Sequence, residues 1–541
     1  MRSRYGAIAV SMVIGLCRMV FAQNPVQSLK TPGETSGYSK YTQHEEVANF
    51  LSAASQASRQ VKIQIIGKTL ETKELPPVEL RLCIITEEGI DNPRALNRRK
   101  LTFLIFAAQH GNEQSGKEAA LQLIRDLAFG NLKPWLRKIN VLVIPQSNPF
   151  GNFVNRRTNE QNLDLNRDHV KLEAPETRAI HAVFRAWMPE VTLDVHEKGD
   201  DYYRVSTGCV SNLNIHESLQ RYSRERVFPA LEKRVSADGF TWHEYLVSDF
   251  VGSASSAGVP DRQGDRVARE VLMRYSTTDL NDGRNAPGIY QTLSFIQEGA
   301  SRHDLQTLEA RTRWQYSGVR ALVEFAANHA KEIRPLVSRR RAELLRQSRM
   351  PSAQSLVHMR MEYVRDPKEP ELVLKQFERA STGAGASAAE PKVVTQTVKN
   401  WLPRIESRLA VPRAAGYIIP SAQKELMKTL SDHGVSTAAI AKDFELEAET
   451  YRITDIQPAK EDYVAPERIA VEKQRTRLTA HQGDFFVSCN QPGANLITSL
   501  LEPQSEYGLT RYRVYKLAPA KGETFSIIRV PKAGKIPVTA R

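Results

Sequence analysis

LTFLIFAAQHGNEQSGKEAALQLIRDLAFG, residues 101–130, is the stretch from which the fold can be read. Its first eight residues are an unbroken apolar run, the mark of a strand buried on both faces. A short polar loop with a glycine follows. Ser115 and Glu118 have the spacing of a helix-opening capping box, and Ala120, Leu123, Ile124, Leu127 and Ala128 then fall on one helical face. Gly130 ends that helix. The loop between strand and helix carries His110 and Glu113. In an α/β sheet, ligands bind beyond the carboxyl ends of strands, and that is where these two residues stand.

The same alternation extends to either side. A helix is expected at about 43–55, strands over 62–67 and 78–86, a buried strand over 139–145, a helix near 174–187 and a strand over 191–195. TLSFIQEG (292–299) is a further strand. Strands alternating with helices predict an α/β sheet flanked by helices. Residues 305–347 read as a long helical region with a basic end, broken by Pro351. Residues 380–392 are low in complexity and linker-like. Beyond 400 the character changes. Short β-prone pieces, AAGYIIP (414–420), TYRITDI (450–456) and RYRVYKL (511–517), alternate with turns, with one helix near 421–433. The expected organisation is therefore a signal over 1–22, a polar leader over 23–40, a catalytic domain over 41–348, a linker region over 349–399 and a smaller, mostly β domain over 400–541.

At 541 residues the chain is too long for one core, and 41% hydrophobic and 25% charged residues suit a folded globular protein rather than a disordered or fibrous one. MRSR followed by the apolar Tyr5–Cys17 stretch and Val20-Phe21-Ala22 has the pattern of a cleaved export signal. Cleavage after Ala22 removes Arg2, Arg4 and Arg18 and no acid, so the formal charge falls from +14 to +11. The run Arg339-Arg340-Arg341 reads as a solvated helix face, not a nucleic-acid stripe. No later segment has the length of a membrane helix, so no stable membrane insertion is expected. Cys83, Cys209 and Cys489 are too few and too scattered for a disulfide framework.

Chemistry enters at three residues. VTLDVHEKG (191–199) places His196 straight after an apolar strand, as His110 and Glu113 follow theirs. Neighbouring strands would bring the three together. Two imidazoles and a carboxylate suit a catalytic Zn²⁺ with one position left for water. An H-x-x-E pair alone is weak, since a chain with 12 His shows about one by chance. The strand-end context of all three residues gives it force. The polar block 148–169 adds Arg156, Arg157 and Arg167, which can grip a carboxylate by two-pronged hydrogen bonds, with Asn166 as a further donor. Asp164 can accept the second imidazole proton of His110 and fix its orientation.

HGNE, NPFG, RRTNEQNLDLNRD, LDVHE and SFIQEG, in this order, resemble the zinc carboxypeptidases of the M14 type, across roughly residues 40–330. The resemblance implies a mixed, largely parallel sheet and one zinc on His110, Glu113 and His196. It implies substrate binding or carbonyl polarisation by Arg157, Asn166 and Arg167, with Arg156 a weaker candidate for the first of these, and catalysis by Glu298. The substrate would be a peptide with a free C-terminus. The family's substrate-closing tyrosine matches either Tyr275 or Tyr290. Asp279 and Asp282 hint at a preference for basic side chains. The interval from Glu113 to His196 resembles compact bacterial members, and the C-terminal block resembles the accessory domain of some exported ones. Two other readings accompany this one: a zinc-dependent deacylase of N-acyl amino acids, and a non-catalytic relative that binds peptide or carbohydrate.

Overall fold

The computed structural model describes residues 29–250, 271–378, 392–457, 468–517, 520–532 and 534–539. The expected signal over 1–22 and most of the low-complexity stretch lie outside them. An eight-stranded sheet organises the first half of the chain. Its strands, with the two of an adjoining hairpin, are β1 (Val61–Lys68), β2 (Glu79–Ile85), β3 (Leu101–Ala107), β4 (Ile139–Ile144), β5 (Val191–Gly199), β6 (Val205–Cys209), β7 (Trp242–Glu244), β8 (Leu246–Phe250), β9 (Val271–Tyr275) and β10 (Leu293–Ser301). The main order is β1-β2-β4-β3-β5-β10-β6-β7. The central strands β4, β3, β5 and β10 run parallel, and antiparallel pairs join β1 to β2, β2 to β4 and β10 to β6. The sheet is flanked by helices, as the alternation predicts, and mixed, as the resemblance implies.

Every residue of β3 and β4 is buried, which explains their continuous apolar runs. Phe103 and Ile105 pack on one face with Leu121, Leu123, Ile124 and the helix Leu308–Asn328. Leu104 and Phe106 pack on the other with Ile180, Phe184 and Trp187 of the helix Pro175–Trp187. That second cluster continues without a break into Tyr417, Leu426, Leu430, Leu496 and Leu500 of the C-terminal half. The C-terminal six-stranded sheet thus shares its core with the main one. In the stretch read as a linker region, Leu356–Val364 pairs with Arg404–Pro412, and Leu372–Phe377 with Val393–Val398. The long helical region is two helices, Leu308–Asn328 and Ala330–Arg349.

Several expectations are corrected. Ser115 is the first residue of its helix, not its cap; Gln114 is the cap, and the Ser115 amide donates to Glu197 Oε1 at 2.9 Å. Glu118 is buried inside the helix bundle, and burial pushes its carboxyl above the usual range. RYRVYKL forms two short 3₁₀ turns rather than a strand. Its tyrosines are spent sideways: Tyr512 Oη accepts from Asn281 (2.9 Å) and Tyr515 Oη bonds Thr429 Oγ1 (2.8 Å). In the basic run, Arg341 is not solvated but donates to the carbonyls of Met188 (3.0 Å) and Pro189 (2.6 Å) and to Thr292 Oγ1 (2.8 Å). Cys83, Cys209 and Cys489 are buried and unbridged.

Candidate active site

The apolar β3 ends where Ala108 takes a positive φ of 60°, a conformation that turns the chain sharply out of the sheet. Gly111 follows because nothing larger fits: a Cβ there would lie 2.0 Å from the Gly151 carbonyl carbon. The NPFG segment clasps the turn. Asn148 donates to the Gln109 carbonyl (3.1 Å) and Asn152 to the Gly111 carbonyl (2.6 Å). His110 and Glu113 are thereby held on one rigid loop. β5 lies beside β3, with Val195 opposite Ala107, so His196 emerges next to that loop.

His110, Glu113 and His196 form a buried cluster whose ligand atoms all lie within 4.8 Å of one another. His110 Nδ1 is 2.7 Å from Glu113 Oε1, His196 Nδ1 is 2.8 Å from Glu113 Oε2, and the two Nδ1 atoms are 3.1 Å apart. Behind the rings, His110 Nε2 faces Asp164 Oδ1 at 3.0 Å and His196 Nε2 faces Asp194 Oδ2 at 2.8 Å. Glu113 faces both Nδ1 atoms, but a carboxylate behind each Nε2 holds the proton there when a cation takes the place of the Glu113 contacts, which frees each Nδ1 lone pair. Two imidazole lone pairs and an anionic carboxylate then converge on one point. That donor set fits a divalent cation, and its His₂Glu composition is that of a catalytic zinc site. The sequence did not single out Asp194; its only signal is its place two residues before His196, on the same face of β5.

Glu298 lies on β10 directly beside His196. It is buried, and burial lifts its carboxyl to about 7. The Tyr245 hydroxyl hydrogen-bonds it, and burial pushes that phenol up. Arg157 Nε reaches Asp164 Oδ2 at 3.0 Å and its Nη1 lies 3.7 Å from Glu113, with nearly half of the side chain exposed. Asn166 lies 3.3 Å from His196 Nε2 and accepts the Gly283 amide at 2.8 Å. Arg167 Nη1 donates to the Asn166 carbonyl at 2.7 Å. Asp164, Arg157, Asn166 and Arg167 thus gather around the three-ligand cluster. Arg156 turns away to the Asn159 carbonyl.

The remaining candidates stand elsewhere. Tyr275 packs on Trp401 and under the Arg224 guanidinium, and Tyr290 packs on Phe184 in the second core cluster. Asp282 is no open acidic receptor: its oxygens accept the Arg284 guanidinium (2.5 Å) and the amides of Arg284 (3.0 Å) and Asn285 (2.6 Å). His433 is buried, donates from Nε2 to the Val170 carbonyl (2.8 Å) and packs edge-on against His181. His481 is exposed.

Residues 47–202 match the family model described as zinc carboxypeptidase. The chain is 26% identical over 520 residues to carboxypeptidase 2 of Trichophyton tonsurans, covering 92% of this chain and 88% of that one. It is 25% identical over 519 residues to carboxypeptidase 2 of Trichophyton rubrum, with the same coverage. Both similarities span the C-terminal half as well as the main sheet. Among solved structures, carboxypeptidase A of Helicoverpa armigera is similar at 14% identity and a TM-score of 0.39, covering 55% of this chain and 76% of that one.

Proposed function

We propose that this metallocarboxypeptidase, a zinc-dependent hydrolase, releases single residues from the free C-terminus of peptides. The observation that carries the reading is the convergence of His110 Nδ1, His196 Nδ1 and Glu113 beside a buried Glu298 on the neighbouring strand. His110, Glu113 and His196 would hold Zn²⁺, which supplies Lewis acidity toward the scissile carbonyl and the attacking water. Glu298 takes a proton from that water and delivers it to the leaving amine nitrogen. Arg157, exposed on the cluster's rim, stabilises the oxyanion that develops at the carbonyl. Asn166 and Arg167 hold the substrate's terminal carboxylate, which fixes the cut at the last peptide bond. Asp164 keeps His110 in the tautomer that presents Nδ1.

Action outside the cytosol accords with the export pattern of residues 1–22, and among the described residues no helix is long and apolar enough to cross a membrane. Mass spectrometry of a mixed peptide library, with and without a chelator, tests the activity. Stepwise loss of C-terminal residues that stops on chelation is expected. Internal cleavage, or release of acyl groups from N-acyl amino acids in place of C-terminal residues, would contradict it.

A further inference from the structure

Arg284 is buried, 1% exposed, yet only partly used. Its Nη2 donates to Asp282 Oδ2 (2.5 Å) and reaches the Thr277 carbonyl (3.5 Å), while Nε and Nη1 have no acceptor. A buried guanidinium left with free donors is unfavourable unless a ligand completes it.

The position of Nη1 follows from the sheet. On β6, Ser206 pairs with Glu298 and Gly208 with Ile296. Paired residues, and residues two apart on a strand, point to the same face. A Cβ on Gly208 would come within 2.9 Å of Arg284 Nη1 and 3.3 Å of Tyr245 Cβ. Nη1 therefore lies over Gly208, on the face that carries Glu298, displaced from it by two residues, about 7 Å of strand. The loop that bears Arg284 is tied to the same region, since the Gly283 amide donates to Asn166 Oδ1 at 2.8 Å. The Tyr245 phenol, bonded to Glu298, lies within the fields of both Arg284 and Arg167.

We infer that Arg284 reads the side chain of the residue being released, and that the preferred substrates are peptides ending in Glu or Asp. The inference rests on the exopeptidase reading above. With the terminal carboxylate on Asn166 and Arg167, the last side chain points along the sheet toward Gly208. The missing side chain at Gly208 is what lets Nη1 lie against the strand, between Ile296 and Tyr245, and Nη1 there is an unused charged donor. Asp282 neutralises the guanidinium's other edge and holds it in place. A lysine or arginine side chain would meet like charge at this point.

The test is initial-rate measurement on N-acyl dipeptides identical but for a last residue of Glu, Leu or Lys. The wild-type chain is expected to favour Glu over both by about tenfold or more in kcat/KM, the range of a charge-assisted hydrogen bond. Arg284→Met should lower the Glu-to-Leu ratio by about tenfold to a hundredfold. Because that change strands Asp282, Gly208→Ala serves beside it: its added methyl displaces Nη1 while keeping the charge, and should lower the same ratio. Thermal melting establishes that each variant is folded. A wild-type chain that removes Lys or Leu as well as Glu overturns the inference. So does an unchanged ratio in both Gly208→Ala and Arg284→Met when each is folded. Failure to release any of the three residues sinks the exopeptidase reading itself, and this inference with it.

Discussion

The Nδ1 atoms of His110 and His196 lie 3.1 Å apart, and each ring is braced from behind by its own carboxylate, Asp164 or Asp194. The rings arrive from different strands, yet their second nitrogens are fixed in the same way. Orientation is thus set by the protein before any cation arrives, and affinity should depend on the braces nearly as much as on the ligands.

Metal dependence comes first. Dialysis against a strong chelator should abolish peptidase activity, and added zinc should restore it. Zinc at about a thousandfold excess over its Kd should stabilise the wild-type fold by about 4 kcal/mol. Melting curves with and without zinc check this, with Glu113→Gln as control. A wild-type melting temperature indifferent to zinc would contradict the site.

Glu298→Gln should remove turnover while zinc still binds. The change keeps shape and loses the base, so a loss of about a hundredfold or more is expected. Metal content and peptide hydrolysis are measured on the same sample; full activity would strip Glu298 of its role.

Asp194→Asn should weaken zinc binding by about ten- to a hundredfold, because a neutral amide, which can donate as well as accept, replaces the charged acceptor that fixes the His196 tautomer. Competition with a chromogenic chelator gives the number. Asp194 also accepts from Gln109 (2.8 Å), so the turn before His110 loosens too. Unaltered affinity would show that the brace is idle.

Stability should vary with pH through Glu176. Burial, with nearby Glu160 adding to it, lifts this carboxyl from 4.5 to about 8. The unfolded chain gives up that proton near 4.5, so between the two values the folded state binds more protons. Stability must then fall as pH rises through this window, by about 1 kcal/mol per pH unit. Glu176→Gln should flatten the slope in denaturant titrations at pH 5, 6.5 and 8; an equal slope in the variant would rule Glu176 out as its source.

Arg341→Met should cost about 2 kcal/mol or more, since four part-buried acceptors, the carbonyls of Met188, Pro189 and Tyr290 and Thr292 Oγ1, lose their donor. Arg339, exposed and bonded only to its own helix, should be replaceable within about 0.5 kcal/mol. Equal effects of the two substitutions would refute the distinction.

Where the code is local, the sequence was readable. The uninterrupted apolar runs of β3 and β4 report burial on both faces, and the place of His110 and Glu113 just past β3 foretells their pairing, whereas His196, read as following a strand that ends at 195, lies inside β5, which runs on to Gly199. Glu298 was legible only by family resemblance, because nothing in TLSFIQEG says that β10 lies beside β5. Tyr245 and Arg284 were silent for the same reason: their roles exist only between segments far apart in sequence. Asp194 shares β5 with His196, and its spacing of two was the one local signal. Ser115–Glu118 misled because a cap motif cannot reveal that Glu197 satisfies the helix's first amide from another strand. RYRVYKL looked like a strand because its aromatic spacing suits one, while the tyrosine hydroxyls in fact find partners at Asn281 and Thr429.

The contact between Gly111 and Gly151 has a consequence for engineering. A methyl on Gly111 would run into the Gly151 backbone, and one on Gly151 into Asn148 and the Arg156 carbonyl. Anyone transplanting the ligand-bearing turn into another scaffold would have to carry the 148–152 segment with it, as a single cassette. Random diversification of either segment by itself should return mostly dead clones.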